Sequence, residues 1–113
     1  MTRGETQRRK FPRYYTELEV TVFHGSETFQ GRINQISRGG CLIFPPLPIH
    51  EHRALKLSFR LALTLPPIHC IGEVVYTVND KGTGTAFTEI SSYSQDLISQ
   101  NFESSTEIKD RRQ

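Results

Sequence analysis

The sequence lacks the short patterns that announce enzymatic chemistry. It has no G-x-G-x-x-G turn, no Walker-type phosphate loop, no G-x-S-x-G elbow and no cluster of carboxylates. Phosphodiester synthesis or hydrolysis, and acyl transfer through an activated serine, would need such residues. The expectation is a chain that is not an enzyme and holds no resident cofactor. Its two cysteines, Cys41 and Cys70, fall inside apolar stretches without C-x-x-C spacing. That placement suits buried reduced thiols better than a zinc site or a disulfide framework. No apolar run approaches the ~20 residues of a membrane span, and no apolar segment with a small-residue cleavage site follows the basic N-terminus. The expected compartment is the cytosol, with no membrane partner. Apolar side chains are also scarce at both ends, so residues 1–7 and 104–113 are expected to be disordered tails around one domain at 8–103.

What is present fits a single hydrophobic core: 113 residues, 35% hydrophobic and 23% charged. The formal net charge of +2 conceals an asymmetry. Arg3, Arg8, Arg9, Lys10 and Arg13 stand against Glu5 alone in the first fifteen residues, and the rest of the chain is slightly acidic. Positive charge concentrated ahead of the fold suits a local anionic ligand better than an extended nucleic-acid-binding face.

The remaining sequence alternates with a period of two. Leu55, Leu57, Phe59, Leu61, Leu63 and Leu65 interleave with Lys56, Ser58, Arg60, Ala62 and Thr64, which predicts one long strand ended by Pro66-Pro67. Ile68, Cys70, Val74, Tyr76 and Val78 continue the alternation, with Gly72 at a bulge or bend. Asn79-Asp80-Lys81-Gly82 reads as a turn, and Thr83–Glu89 as a further strand. Upstream, Leu18, Val20 and Val22 form a strand that stops at His24-Gly25-Ser26. Phe29–Ile36 forms the next, Ser37-Arg38-Gly39-Gly40 a tight reversal, and Cys41–Phe44 another strand. About six short strands at this spacing predict an all-β sandwich or barrel. One helix follows, capped by Ser91 or Ser92, with Asp96 early in it and Tyr93, Leu97, Ile98 and Phe102 as an apolar stripe.

Two segments carry the candidate chemistry. In Gln7-Arg8-Arg9-Lys10-Phe11-Pro12-Arg13, guanidinium groups offer paired donors to phosphate or to guanine O6 and N7, and flat faces to a base. Pro12 stiffens the segment and Phe11 anchors it to the core. Taken alone, such an arm is more often a solvated or nucleic-acid-attracting tail. In Asn34-Gln35-Ile36-Ser37-Arg38-Gly39-Gly40, the glycines allow close backbone approach or positive φ, and the serine hydroxyl and amides can donate to an anion. Alone, this is more often a plain strand-to-strand turn.

Together the two segments resemble the PilZ domain family, whose signature is Arg-x-x-x-Arg followed some way downstream by Asp/Asn-x-Ser-x-x-Gly. Arg9-Lys10-Phe11-Pro12-Arg13 matches the first part, and Ser37-Arg38-Gly39-Gly40 the end of the second. Gly84-Thr85-Ala86-Phe87 and the terminal helix are similar as well, so the resemblance spans residues 8 to 102. It implies a six-stranded antiparallel barrel with one C-terminal helix and a flexible N-terminal arm. It further implies a bacterial receptor for the second messenger cyclic di-GMP. By that resemblance Arg9 and Arg13 clasp the ligand, Ser37, Gly39 and Gly40 line its other side, and Arg8 favours an intercalated ligand dimer. Gln35 departs from the family's Asp or Asn, and Asn34 stands one residue too early, on the opposite face of a regular strand. Gln35 keeps an amide acceptor but loses the charge. A lost charge-assisted hydrogen bond costs about 1–3 kcal/mol, so weakened binding is expected.

The reading is therefore an adaptor whose arm is ordered by the ligand and which signals to a partner protein, with no DNA bound. Two rivals stand beside it. One is a degenerate PilZ-like protein-interaction module that has lost the nucleotide. The other is a small barrel for single-stranded nucleic acid that uses the arm with Tyr14 and Tyr15. His50-x-His52 lacks a third metal ligand, and His69 and Cys70 point to opposite faces of a strand, which excludes a nucleophile–base pair.

Overall fold

The computed structural model describes residues 11–102. The two expected tails, and Arg8 and Arg9, lie outside the described residues. Six strands precede one helix: β1 (Tyr14–His24), β2 (Glu27–Ser37), β3 (Gly40–Phe44), β4 (Ala54–Phe59), β5 (Ile68–Val78), β6 (Gly82–Glu89) and α1 (Ser92–Phe102). All neighbours pair antiparallel, and the sheet closes in the order β1-β2-β3-β6-β5-β4. This is the six-stranded barrel with a C-terminal helix that the resemblance implies. Closure leaves no strand with an open edge.

Alternation builds the core. Val20, Val22, Ile33, Ile43, Leu55, Leu57, Ile68 and Val74 point inward and are at most 1% exposed. Helix α1 begins at a serine cap, where Ser91 Oγ accepts the Ser94 amide at 3.0 Å. It packs Ile98 and Phe102 onto the core, and Phe102 stacks on Tyr14 at a centroid distance of 5.6 Å. Among the described residues no helix is long and apolar enough to cross a membrane.

Several local expectations change. The strand predicted over 55–65 stops at Phe59, which pairs with Val20 on one side and Ile68 on the other. The barrel needs no more length there, and the chain reverses through a turn in which the Leu65 amide donates to the Ala62 carbonyl at 3.0 Å. Leu61 stays buried, while Leu63 is 94% exposed. In the helix, Tyr93 leaves the apolar stripe and is exposed. Asp96 lies beyond the first turn and so does not serve the helix N-terminus. The bend expected at Gly72 is a register shift against β6 between Ile71 and Gly72.

A second register shift bears on the site. Between Ile33 and Gln35, β2 carries one residue more than β3 opposite it, so Asn34 is the extra residue of a bulge. Strict alternation would place Ile33 and Ile36 on opposite faces. The bulge turns both inward, at 0% and 1% exposure.

Candidate functional site

Downstream of the bulge, Gln35 and Ser37 point out of the barrel because Ile36 points in. Pairing carries this phase across four strands. Ile36, Cys41, Thr85 and Val74 lie opposite one another as an inward row, all buried. Flanking it on the outer face are two further rows: Gln35, Leu42, Gly84 and Tyr76, then Ser37, Gly40 and Ala86. These outward rows form the floor of a cavity of about 440 Å³, walled by Tyr76 and Val75 and, on the side of the chain that enters β1, by Phe11 and Arg13. That volume lies in the range of small-ligand sites.

Five of the seven residues singled out in the sequence meet here: Arg13, Gln35, Ser37, Gly39 and Gly40 all line the cavity. Arg8 and Arg9 lie outside the described residues. Asn34 does not line it. Its side-chain oxygen is buried within the bulge, with no hydrogen-bond partner among the described residues.

The β2–β3 turn is a two-residue reversal, with Ser37 paired to Gly40. Ser37 Oγ accepts the Gly39 amide at 3.0 Å, and the Gly39 carbonyl accepts the Phe87 amide at 2.8 Å. No described residue accepts the Ser37 hydroxyl proton, which leaves it to donate to a ligand oxygen or base edge. The glycines serve close approach rather than positive φ, which neither adopts. A Cβ on Gly40 would press into the Thr85 carbonyl and lie 3.3 Å from the Ala86 Cα. One on Gly39 would sit 2.9 Å from the Phe11 ring. Phe11 thus packs on the turn and not, as expected, into the core.

Sequence reasoning missed the far side of the site. Tyr76 lies over Gly84, where a Cβ would collide with its ring, and it is 41% exposed. The ring is a wall of the cavity and a surface on which a planar base could stack. Only the β3-β6-β5 pairing brings it opposite Gln35. Arg38 carries no signal in the sequence beyond its place in the turn, yet it donates to Asp96 at 2.9 Å.

The other candidates separate. His52 pairs with Glu73 at 3.1 Å, and among the described residues no group of three or more His, Cys, Asp or Glu could hold a metal ion. His69 is exposed and Cys70 buried, on opposite faces. Burial raises the Cys70 thiol to about 11. Burial first, and the neighbouring Cys70 second, raise Cys41 further. Both are protonated thiols at neutral pH, poor nucleophiles within a core.

Among solved structures, the chain is similar to that of the Bacillus subtilis inhibitor of motility (MotI/DgrA), with a TM-score of 0.69 and 21% identity. The match covers 83% of this chain and 49% of that one, so this chain spans about half its length. The likeness is one of fold. No curated protein is similar enough to count as a match. The PilZ domain family matches residues 7–103, a span that takes in both motif segments, all six strands and the helix. The chain belongs to the PilZ domain family, a family of binding and adaptor modules.

Proposed function

We propose that this domain is a receptor for cyclic di-GMP, which it binds on the outer face of the barrel between the segment ahead of β1 and the β2–β3 turn. The observation that carries this reading is the convergence of Arg13, Gln35, Ser37, Gly39 and Gly40, distant in sequence, on one cavity. Arg9 and Arg13 clasp phosphate and guanine through paired N–H donors. The Ser37 hydroxyl donates from the opposite side, and the Gln35 amide oxygen accepts from guanine N–H groups. Arg8, just ahead of the motif, favours two stacked ligand molecules. Ligand charge gathers the arginines and orders the arm against the barrel. The ordered arm is the surface offered to a partner protein in the cytosol, without catalysis or a resident cofactor.

Calorimetric titration with cyclic di-GMP tests this directly. Wild type is expected to release or absorb heat at tens of micromolar ligand or below, and Arg9→Ala and Arg13→Ala each to weaken binding at least about ten-fold, as loss of a charge-assisted contact requires. A silent wild type, or variants that bind as well as wild type, would exclude the messenger as ligand.

A further inference from the structure

The turn that borders the cavity is tied from behind to the helix. Arg38 Nη1 donates to the Asp96 carboxylate at 2.9 Å, to Ser99 Oγ at 3.0 Å and to the Gln95 carbonyl at 3.3 Å. Gln95 Nε2 donates back to the Arg38 carbonyl at 2.9 Å. The Phe11 ring, which closes on Gly39, lies 5.9 Å from the Arg38 guanidinium carbon. Arg38 itself does not line the cavity, whereas Ser37, Gly39 and Gly40 on either side of it do.

A single exposed ion pair would hold little. Here the Arg38 side chain is only 30% exposed, its guanidinium meets three acceptors, and its backbone carbonyl is held as well. Both ends of Arg38 are therefore fixed to α1. The next residues are two glycines, which by themselves restrain the backbone least. Released from α1, the turn would be held from the barrel side alone, by the Gly39 carbonyl on the Phe87 amide and the pairing of Gly40, and the fraction ready to receive a ligand would fall.

We propose that Arg38 is a positioning residue of the ligand site: by tying the Ser37–Gly40 turn to α1, it couples docking of the helix to binding of cyclic di-GMP. The inference rests on the function proposed above. Coupling is reciprocal, so ligand should also slow amide exchange in α1, and should do so less in Arg38→Ala.

The test uses Asp96, which is 58% exposed and lines no part of the cavity. Removing its negative charge would, by simple electrostatics, favour an anionic ligand. Positioning demands the opposite. In calorimetric titrations with cyclic di-GMP, Asp96→Ala is expected to bind about three- to ten-fold more weakly. Asp96→Asn, which keeps an acceptor for Arg38, should recover most of that loss. Added to Arg38→Ala, the Asp96→Ala change should cause no further loss. Asp96→Ala binding as well as wild type, or better, overturns the proposal.

A second measurement needs no ligand. Amide exchange at residues 37–40 should accelerate in Arg38→Ala while that of β4 and β5 is unchanged, and unaltered exchange at the turn equally overturns it. A wild type that fails to bind cyclic di-GMP sinks the proposed ligand instead, and the exchange result then decides by itself whether Arg38 holds the turn.

Discussion

Glutamine at position 35 carries its amide one methylene further from the strand than the Asp or Asn of the family motif, and it lines the cavity in the same outward phase as Ser37. On the proposed reading its oxygen accepts from guanine without the charge that strengthens such a hydrogen bond. Gln35→Asp is expected to tighten cyclic di-GMP binding about five-fold or more in a calorimetric titration. Unchanged affinity would mean that position 35 does not touch the ligand. The buried cysteines carry a different expectation. An unfolded chain ionises its thiols near pH 9, whereas the fold holds Cys70 protonated up to about 11 and Cys41 beyond. Above pH 9 the unfolded state therefore binds fewer protons, and stability falls as pH rises. The contribution of Cys70 is full below pH 9 and lost as pH passes about 11. Urea midpoints measured from pH 8 to 11 should fall less steeply in Cys70→Ala than in wild type, and parallel slopes would contradict the assignment.

At the scale of the elements, the glycines of the site separate into two kinds. Gly40 faces backbone: a methyl there meets the Thr85 carbonyl and the Ala86 Cα, atoms that move only if β3 parts from β6. Gly84 faces the Tyr76 ring, an exposed side chain and not backbone. Gly40→Ala should cost about 2 kcal/mol of stability in urea unfolding. Gly84→Ala should cost less than about 1 kcal/mol, since Ala restricts the unfolded chain more than Gly, yet weaken ligand binding by displacing the ring. Equal costs would contradict this division. The same elements mark what was legible beforehand. Strands with one buried face, such as Val20–Val22 and Ile68–Val74, announce themselves by period two. The strand predicted through Leu65 did not stop where alternation stopped, because its end is set by pairing partners Val20 and Ile68, which no local pattern encodes. The bulge at Asn34 is hidden for the same reason: an extra residue is defined only against the opposing strand.

Across the whole molecule, closure of the barrel creates the site. The arginine and Ser-x-x-Gly segments were readable as motifs, each with its own donors. Leu42 and Tyr76 were not, and Gly84 was legible only within the family-like Gly84–Phe87 segment, since strands distant in sequence become neighbours only when β3 pairs with β6 and β6 with β5. The helix adds a third layer by holding the turn from behind through Arg38. Binding, in this account, draws the N-terminal arm onto the outer face of the barrel, so the whole ligand footprint should lie on one side of the molecule. Backbone chemical-shift mapping with and without cyclic di-GMP tests that most directly, because it presumes no residue. The account predicts shifts concentrated at residues 8–13, 35–42, 75–76 and 84–86, with smaller ones in α1. An unchanged spectrum at saturating ligand, or shifts gathered on the opposite wall around Phe23, Lys56 and Ile71, would contradict it.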